Sequence, residues 1–534
     1  MELTPKTISE EFKKDINFKA SLGEKGMFEQ NRINERFYIG DQWYGARSAN
    51  DRPLVRHNII KRIGEYKIAQ VISKPVKVEI TAEGVPTAAG VEEKNSKKSA
   101  DYNFSGNVTE EEISRVMSAL TDYRETTARR LSFEKLCCDV LKKAYISGTG
   151  VLYTYFDETI KTGLYADKSR NIPINGDIRC EVLGIENVCF ADPFEQDIER
   201  QPYIIISNYC DYKSVIAEAE KFGAGKRELM QLKPDRNGKV RVYTKLFKES
   251  DGLGKTTVKC IKVTDSGIIR PAFNTRLTLY PISLIRWEER GNMVYGESEV
   301  TYLVSNQIAI NRMITASVWA TMSKGMPLMV VNGDTVPEEI TNDPGQIIKV
   351  YGSNEDVDGA VKFIDPPDFS SDFISGVNDL IKNTLTQSGA NEVALGDSKA
   401  ENATALSAMQ NAASLPLIIL KNKFYNFIEN VTRIWADFWV TQYGNRRIKI
   451  ESSEGVSYIP FCAERYQELY LSAKIIASEK KKPDPEEIKL LGELFDKQVI
   501  SKKEYLKRLP EDYISDLDDL IKNSGKEDEK NEDI

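Results

Sequence analysis

Two periods of apolar residues divide this chain. At its start, Phe28 to Tyr38 carries apolar positions at helical spacing and is followed by the break Gly40-Asp41-Gln42-Trp43. Asn58 to Ser73 predicts a second helix, ended by Pro75, and Val76 to Ile80 then alternates as a strand does. Pro86 to Gly90 is a small-residue loop. Leu131 to Ser147 predicts a third helix, with Phe133, Leu136, Val140, Leu141 and Ala144 on one stripe and Gly148 as its stop. From Val151 to Trp287 the period drops to two, in runs such as Val151 to Phe156, Tyr203 to Ser207, Val240 to Phe247 and Thr256 to Val263. Asn175-Gly176, Asn237-Gly238 and Asp251-Gly252 read as turns between them, which predicts an antiparallel β-rich region.

Long helices return after Gly296. Glu297 to Ser323 is an uninterrupted helical stretch in which Ser305, Ala309, Arg312, Ala316, Ala320 and Ser323 share a face. Small residues let another helix approach closely, so this helix is expected to pack on more than one side. A Pro/Gly-rich insert, Gly325 to Pro367, follows with the strands Leu328 to Val331 and Gln346 to Tyr351. Ser370 or Ser371 then caps a helix with the stripe Phe373, Val377, Leu380 and Thr384, and Gly389 ends it. The polar segment Ala390 to Asn402 is longer than a helix connection needs. Ala403 to Tyr443 reads as one helix kinked at Pro416, whose stripe Leu417, Leu420, Phe424, Phe427, Val431, Ile434 and Phe438 must be buried. The chain closes with Glu464 to Ser478, a break at Pro483-Asp484-Pro485, a helical hairpin from Glu486 to Lys507 and an acidic tail. The fold class expected is α+β, mainly α.

Composition narrows the function. The 534 residues are 41% apolar and 29% charged, which suits a globular protein of about three domains. With seven cysteines and one histidine, a disulfide-stapled scaffold and most histidine-based chemistry are disfavoured. Apolar runs stop far short of the ~20 residues that cross a bilayer, and Met1 to Asp15 has no apolar leader core, so a cytosolic, unprocessed protein without a membrane is expected. The formal charge of −8 is uneven: Glu511 to Ile534 holds ten acids and three lysines, leaving the other 510 residues at −1. A body so near neutrality has no field to hold a polyanion tightly.

Chemical motifs are few. Gly252-Leu253-Gly254-Lys255-Thr256-Thr257 resembles the end of a phosphate-binding loop, but Glu249 stands where the leading glycine belongs and a strand follows, so a hairpin turn is the better reading. Cys137-Cys138 lie inside an amphipathic helix and read as buried small hydrophobes. His57, at a helix start, reads as a capping or surface residue. Four glycosylation sequons, at Asn103, Asn107, Asn402 and Asn430, carry no weight in a cytosolic protein. The acid cluster Asp516 to Asp519 reads as solvated tail rather than a cation site. No catalytic residue, cofactor or metal site emerges, and a non-enzymatic role is expected.

The order of pieces resembles the bacteriophage portal proteins. The residues that carry the resemblance are Tyr38-Ile39-Gly40-Asp41-Gln42-Trp43, Arg56-His57-Asn58 with Lys74-Pro75, and Ser147-Gly148-Thr149-Gly150 leading to a strand ending at Asp157. They continue with Asp192-Pro193, Val294-Tyr295-Gly296-Glu297-Ser298, Gln307 and Asn311, Gly389-Ala390-Asn391-Glu392, and Asn402-Ala403-Thr404-Ala405. The resemblance implies a wing over 1–296, stem helices over 297–324 and 368–389, and a clip over 325–367 between them. It further implies a tunnel loop over 390–402, a kinked wing helix with following strands over 403–463, and a helical crown over 464–534. By the same resemblance, Asn391, Asp397, Ser398, Lys399 and Asn402 would face DNA, and Ser305, Ala309, Arg312, Ala316 and Ala320 would pack subunits. The implied assembly is a homo-oligomeric ring of twelve copies at one capsid vertex. Double-stranded DNA would pass through it without sequence specificity, with terminase, a head-tail adaptor and the major capsid protein as partners. The implied location is the virion, and the host cytoplasm during assembly. The rival expectations are a metal-dependent nucleic-acid enzyme of the packaging apparatus and a capsid structural protein without a channel.

Overall fold

A computed structural model describes residues 3–46, 53–73, 76–83, 110–165, 171, 173–224, 232–250, 252, 254–325, 328–332, 334, 350–351, 361–364, 371–390, 415–452, 455–463, 466, 470–476, 485–497, 500 and 505. Helix α1 (Pro5–Ser21) starts on Thr4, whose hydroxyl accepts from the Thr7 amide, with proline in the first turn where no donor is needed. Helix α2 (Met27–Ile39) stops at Gly40, which takes the left-handed conformation (φ 95°) and returns its N–H to Arg36 and Phe37. Helix α3 (Ile59–Ile72) is capped by the Asn58 side chain on the Lys61 amide. Strand β1 (Lys77–Glu83) follows, then α4 (Glu110–Leu131) and α5 (Phe133–Ser147).

The β-rich region begins with β2 (Thr149–Tyr165) and β3 (Pro173–Leu183), continues with β4 (Val188–Phe190), β5 (Tyr203–Asp211) and α6 (Tyr212–Lys221), and then runs through β6 (Lys239–Ser250), β7 (Thr256–Val263) and β8 (Ile268–Asn274). Strand β9 (Ile282–Arg286) and the short pair β10 (Glu288–Glu289) and β11 (Gly296–Glu297) complete it. Two antiparallel sheets result: a meander in the order β4-β5-β6-β7-β8, and a three-stranded sheet in the order β3-β2-β9. The meander buries Ile205, Tyr243, Ile261 and Val263 against Ile8 and Phe12 of α1. A mixed α+β fold with an antiparallel region therefore agrees with the sequence patterning.

The long helix α7 (Glu299–Gly325) leads into the hairpin strands β12 (Leu328–Val331) and β13 (Val361–Ile364), and α8 (Ser371–Gln387) packs back beside α7. Helix α9 (Ile418–Gln442) forms the centre of the main core. Its stripe Leu420, Phe424, Phe427, Val431, Ile434 and Phe438 is buried, as expected, together with Trp435 and Trp439. Strands β14 (Asn445–Ser452) and β15 (Gly455–Cys462) make a hairpin, β16 (Tyr470–Ile476) pairs with β1, and α10 (Pro485–Asp496) follows.

Several expectations need correction. Asn175-Gly176 is not a turn between strands: both lie inside β3, opposite the register shifts of β2, and Gly176 takes φ 98° there, so the turn dipeptide serves a bulge. Tyr470–Ile476 is a strand rather than part of a helical end, because Leu471 and Ala473 alternate into the core and a distant partner, β1, supplies the hydrogen bonds. Helix α4 had no counterpart in the sequence reading. Cys138 is exposed, and only Cys137 of that pair is buried. Pro416 lies in a 3-10 turn, Leu415–Leu417, that opens α9. The expected stretch before it, 403–414, falls outside the described residues, as does most of the expected strand Gln346 to Tyr351. Gly254 and Lys255 stand in the link between the paired strands β6 and β7, so the loop reading holds over the phosphate-loop one. Among the described residues no helix is long and apolar enough to cross a membrane.

Candidate functional site

Helix α7 carries the region with the most to explain. Its 27 residues contain three charges, Glu299, Arg312 and Lys324, so from Val300 to Ser323 only one residue is charged. A helix that is apolar or small on every side belongs in an interior. The root of α7 meets that condition. Val300, Leu303, Gln307, Ile310, Asn311 and Thr315 are buried, and Glu299 accepts from Trp287 Nε1 at 2.9 Å and from Lys67 Nζ at 2.6 Å.

One face of this root is polar for a definite reason. Residues 53–58 run as an extended strap along α7, antiparallel to it, and a backbone laid on a helix needs partners for its amides and carbonyls. Gln307, Asn311, Thr315 and Trp319, spaced four apart, provide them. Gln307 Nε2 donates to the His57 carbonyl at 2.6 Å and its Oε1 accepts from the Ile59 amide at 3.0 Å. Asn311 Oδ1 accepts from the His57 amide at 3.0 Å, Thr315 Oγ1 from the Val55 amide at 3.0 Å, and Trp319 Nε1 donates to the Pro53 carbonyl at 2.8 Å. Asn311 Nδ2 in turn donates to Gln42 Oε1 at 2.6 Å, and Gln42 Nε2 donates to the Phe37 carbonyl. One side chain every four residues, a rise of about 6 Å, thus meets alternate residues of an extended chain that rises about 6.6 Å per pair.

Several of the residues that carry the portal resemblance meet here and at one neighbouring point. Gln42, His57, Asn58, Gln307 and Asn311 build the strap contact, with the His57 side chain exposed, as expected for a surface residue. Gly148 and Gly296 form the second point: a Cβ on either would come within 2.4 Å of the other's carbonyl oxygen, and Gly148 also sits at φ 82°. Thr149 Oγ1 accepts from the Gly296 amide at 2.8 Å, and Ser298 Oγ donates to the Tyr145 carbonyl at 2.6 Å. Beside it, Lys19 is fully buried, paired with Asp15 at 2.6 Å, whose other oxygen accepts from Tyr295. Burial next to that carboxylate holds the Tyr295 phenol well above its usual range. These side chains satisfy buried backbone and fix how α2, α3, α5 and α7 meet; their chemistry is structural.

Beyond Thr315 the situation changes. No residue from Ala316 to Met322 is buried, and Ser305 and Arg312 are exposed. Among the described residues the small-residue face is partly open, with Ser305 and Arg312 exposed and Ala309, Ala316 and Ala320 half-buried. Exposed large apolar side chains gather in the same part of the sequence: of thirteen among the described residues, eight fall between Tyr302 and Ile419, including Met322, Ile374, Leu415 and Ile419 at 69%. The proposed DNA-facing residues Asn391, Asp397, Ser398, Lys399 and Asn402 lie outside the described residues. Among the described residues no group of three His, Cys, Asp or Glu side chains comes together as a metal ion would require.

Sequence reasoning missed the strap and two of its four contacts, Thr315 and Trp319. The signal was present as a polar residue at every fourth position of an otherwise apolar helix. No protein-family model matches the chain, and no curated protein matches it.

Proposed function

We propose that this protein is a portal-type subunit, assembling as a ring through which DNA is moved. The observation that carries this reading is α7: a helix with one charge between Val300 and Ser323 of which no residue from Ala316 to Met322 is buried among the described residues. Such a surface calls for further copies of the same helix, and Ser305, Ala309, Ala316 and Ala320 allow their backbones to approach. A ring repeats one contact around an axis and closes on itself, which is how a single uncovered face on each subunit is used up. Two further features support it: the helix, insert, helix order of α7, β12-β13 and α8, and a body whose near-neutral charge would let phosphates slide past. Terminase, an adaptor and the major capsid protein are partners by the same resemblance, and the portal vertex of the virion is the corresponding location.

Native mass spectrometry and negative-stain microscopy of the purified protein test the reading together. The expected result is a closed ring with a central pore. A strictly monomeric particle at high concentration across a range of salt would overturn it.

A further inference from the structure

A cleft of about 330 Å³ opens between β9 and α9, floored by Phe427 and Ile434 and bounded on one side by the turn at Gln196 to Glu199. Its α9 wall is a polar stripe, Lys423, Asn426, Asn430 and Arg433, at steps of three, four and three. Its β9 wall is a sheet edge, since among the described residues β9 pairs only with β2. The three carboxylates lining the cleft already have cations: Asp197 with Arg200 at 3.4 Å, Glu199 with Lys248 at 2.6 Å, and Glu289 with Lys423 at 3.7 Å. Arg286 has none. It is half-buried, and its only hydrogen bond is a long one of 3.4 Å to the Met293 carbonyl. A guanidinium taken partly out of water without a carboxylate of its own in contact is costly unless something anionic completes it. Asn426 and Asn430 likewise make no hydrogen bond among the described residues, which leaves two amides facing the same space.

We propose that this cleft is a binding site for a small organic anion, its phosphate or carboxylate group held by Arg286 with Lys423 and Arg433, its polar edge by Asn426 and Asn430, and its body against Phe427. The volume is in the range of small-ligand sites, and a planar fork of donors matches an oxyanion. The site lies on the main core, apart from α7, and does not rest on the portal reading.

The test is thermal unfolding and titration calorimetry of the whole chain with three anionic probes, AMP, citrate and inorganic phosphate, and with adenosine as the neutral control. The expected result is saturable stabilisation by AMP or citrate at concentrations up to about 10 mM, with none from adenosine. A response to phosphate alone would identify a bare oxyanion as the sufficient ligand. Arg286→Gln should weaken binding at least about tenfold, the loss of roughly one charged hydrogen bond. Asn430→Asp, at an exposed helical position that leaves folding intact, should do the same by placing a like charge in the cleft. No response to any anionic probe, or an undiminished response in both variants, would overturn the proposal.

Discussion

The two halves of α7 stand in opposite conditions, although their sequences are equally poor in charge. From Glu299 to Thr315 one side of the helix is covered by α2, α3 and α5 and by the strap at 53–58, with Gln307, Asn311 and Thr315 paired to backbone, while Tyr302, Ser305 and Arg312 stay exposed on the other. From Ala316 to Met322 no residue is buried among the described residues, although Ala316 to Ala320 are half-covered and Trp319 still meets the strap. The difference teaches that apolar composition marks a surface to be covered without saying by what. In the root the cover is intramolecular, and each buried amide has found its complement.

The sharpest test of the enclosed half is Gly296→Val. The new Cβ would meet the Gly148 carbonyl at 2.4 Å and the Glu288 carbonyl at 2.8 Å, and both are backbone that cannot yield. A loss of about 4 kcal/mol or more is expected, read as failure to obtain folded protein or as a collapse of the denaturation midpoint. A variant as stable as the parent would show that the two segments do not meet there. Gln307→Leu comes next. It keeps volume but strips the His57 carbonyl and the Ile59 amide of their partners, at about 2–3 kcal/mol. Urea unfolding measures it, and a cost near zero would mean that the strap is not held by the ladder.

A third prediction concerns the core rather than α7. Asp437 is buried in α9 and accepts from the Thr278 and Leu279 amides at 2.8 and 3.1 Å. Burial nevertheless outweighs those bonds and pushes its carboxyl up to about 6. Because the folded protein holds this proton more tightly than the unfolded chain does, Asp437 favours the folded state below about pH 4 and that contribution is lost as pH rises through about 6. Asp437→Asn keeps an acceptor for both amides and removes the charge. It should match or exceed the parent's stability at pH 7.5, by on the order of 2 kcal/mol, with the gap closing toward pH 4. A pH-independent gap would contradict this assignment.

The smallest effect on the chain itself should come from the exposed side of α7. Ser305→Glu and Arg312→Glu alter exposed positions and should change the unfolding free energy by less than about 0.5 kcal/mol. Their effect on assembly should be large, seen as loss of rings by microscopy at unchanged melting temperature. Rings that persist in both variants would place the subunit contact elsewhere.

Much of this architecture was legible because local signals and burial coincide. Gly40, Gly148 and Gly389 each mark a helix end in the left-handed region, and the α9 stripe is buried without exception. What escaped depended on partners far along the chain. Lys77 pairs with Ile476, and no local pattern announces a strand whose other half is so distant. Helix α4 buries a narrow stripe, Val116, Met117 and Leu120, diluted by charged neighbours. The candidate site was half legible. The small residues of α7 were visible, but whether they are covered is a property of the packed chain. Gln307 and Asn311 stood out singly, while the ladder becomes visible only when the strap lies beside it.

That ladder also acts as a vernier. Helix and strap advance by nearly equal steps, about 6 Å and 6.6 Å, so their marks stay aligned over three intervals and would drift apart by about 2 Å. A slip of α7 by a fraction of a turn would unlock every rung together, whereas a slip of one turn would offer each rung the next side chain. The root of the helix is thus restricted to discrete positions along its axis, like a detent in a sliding rod.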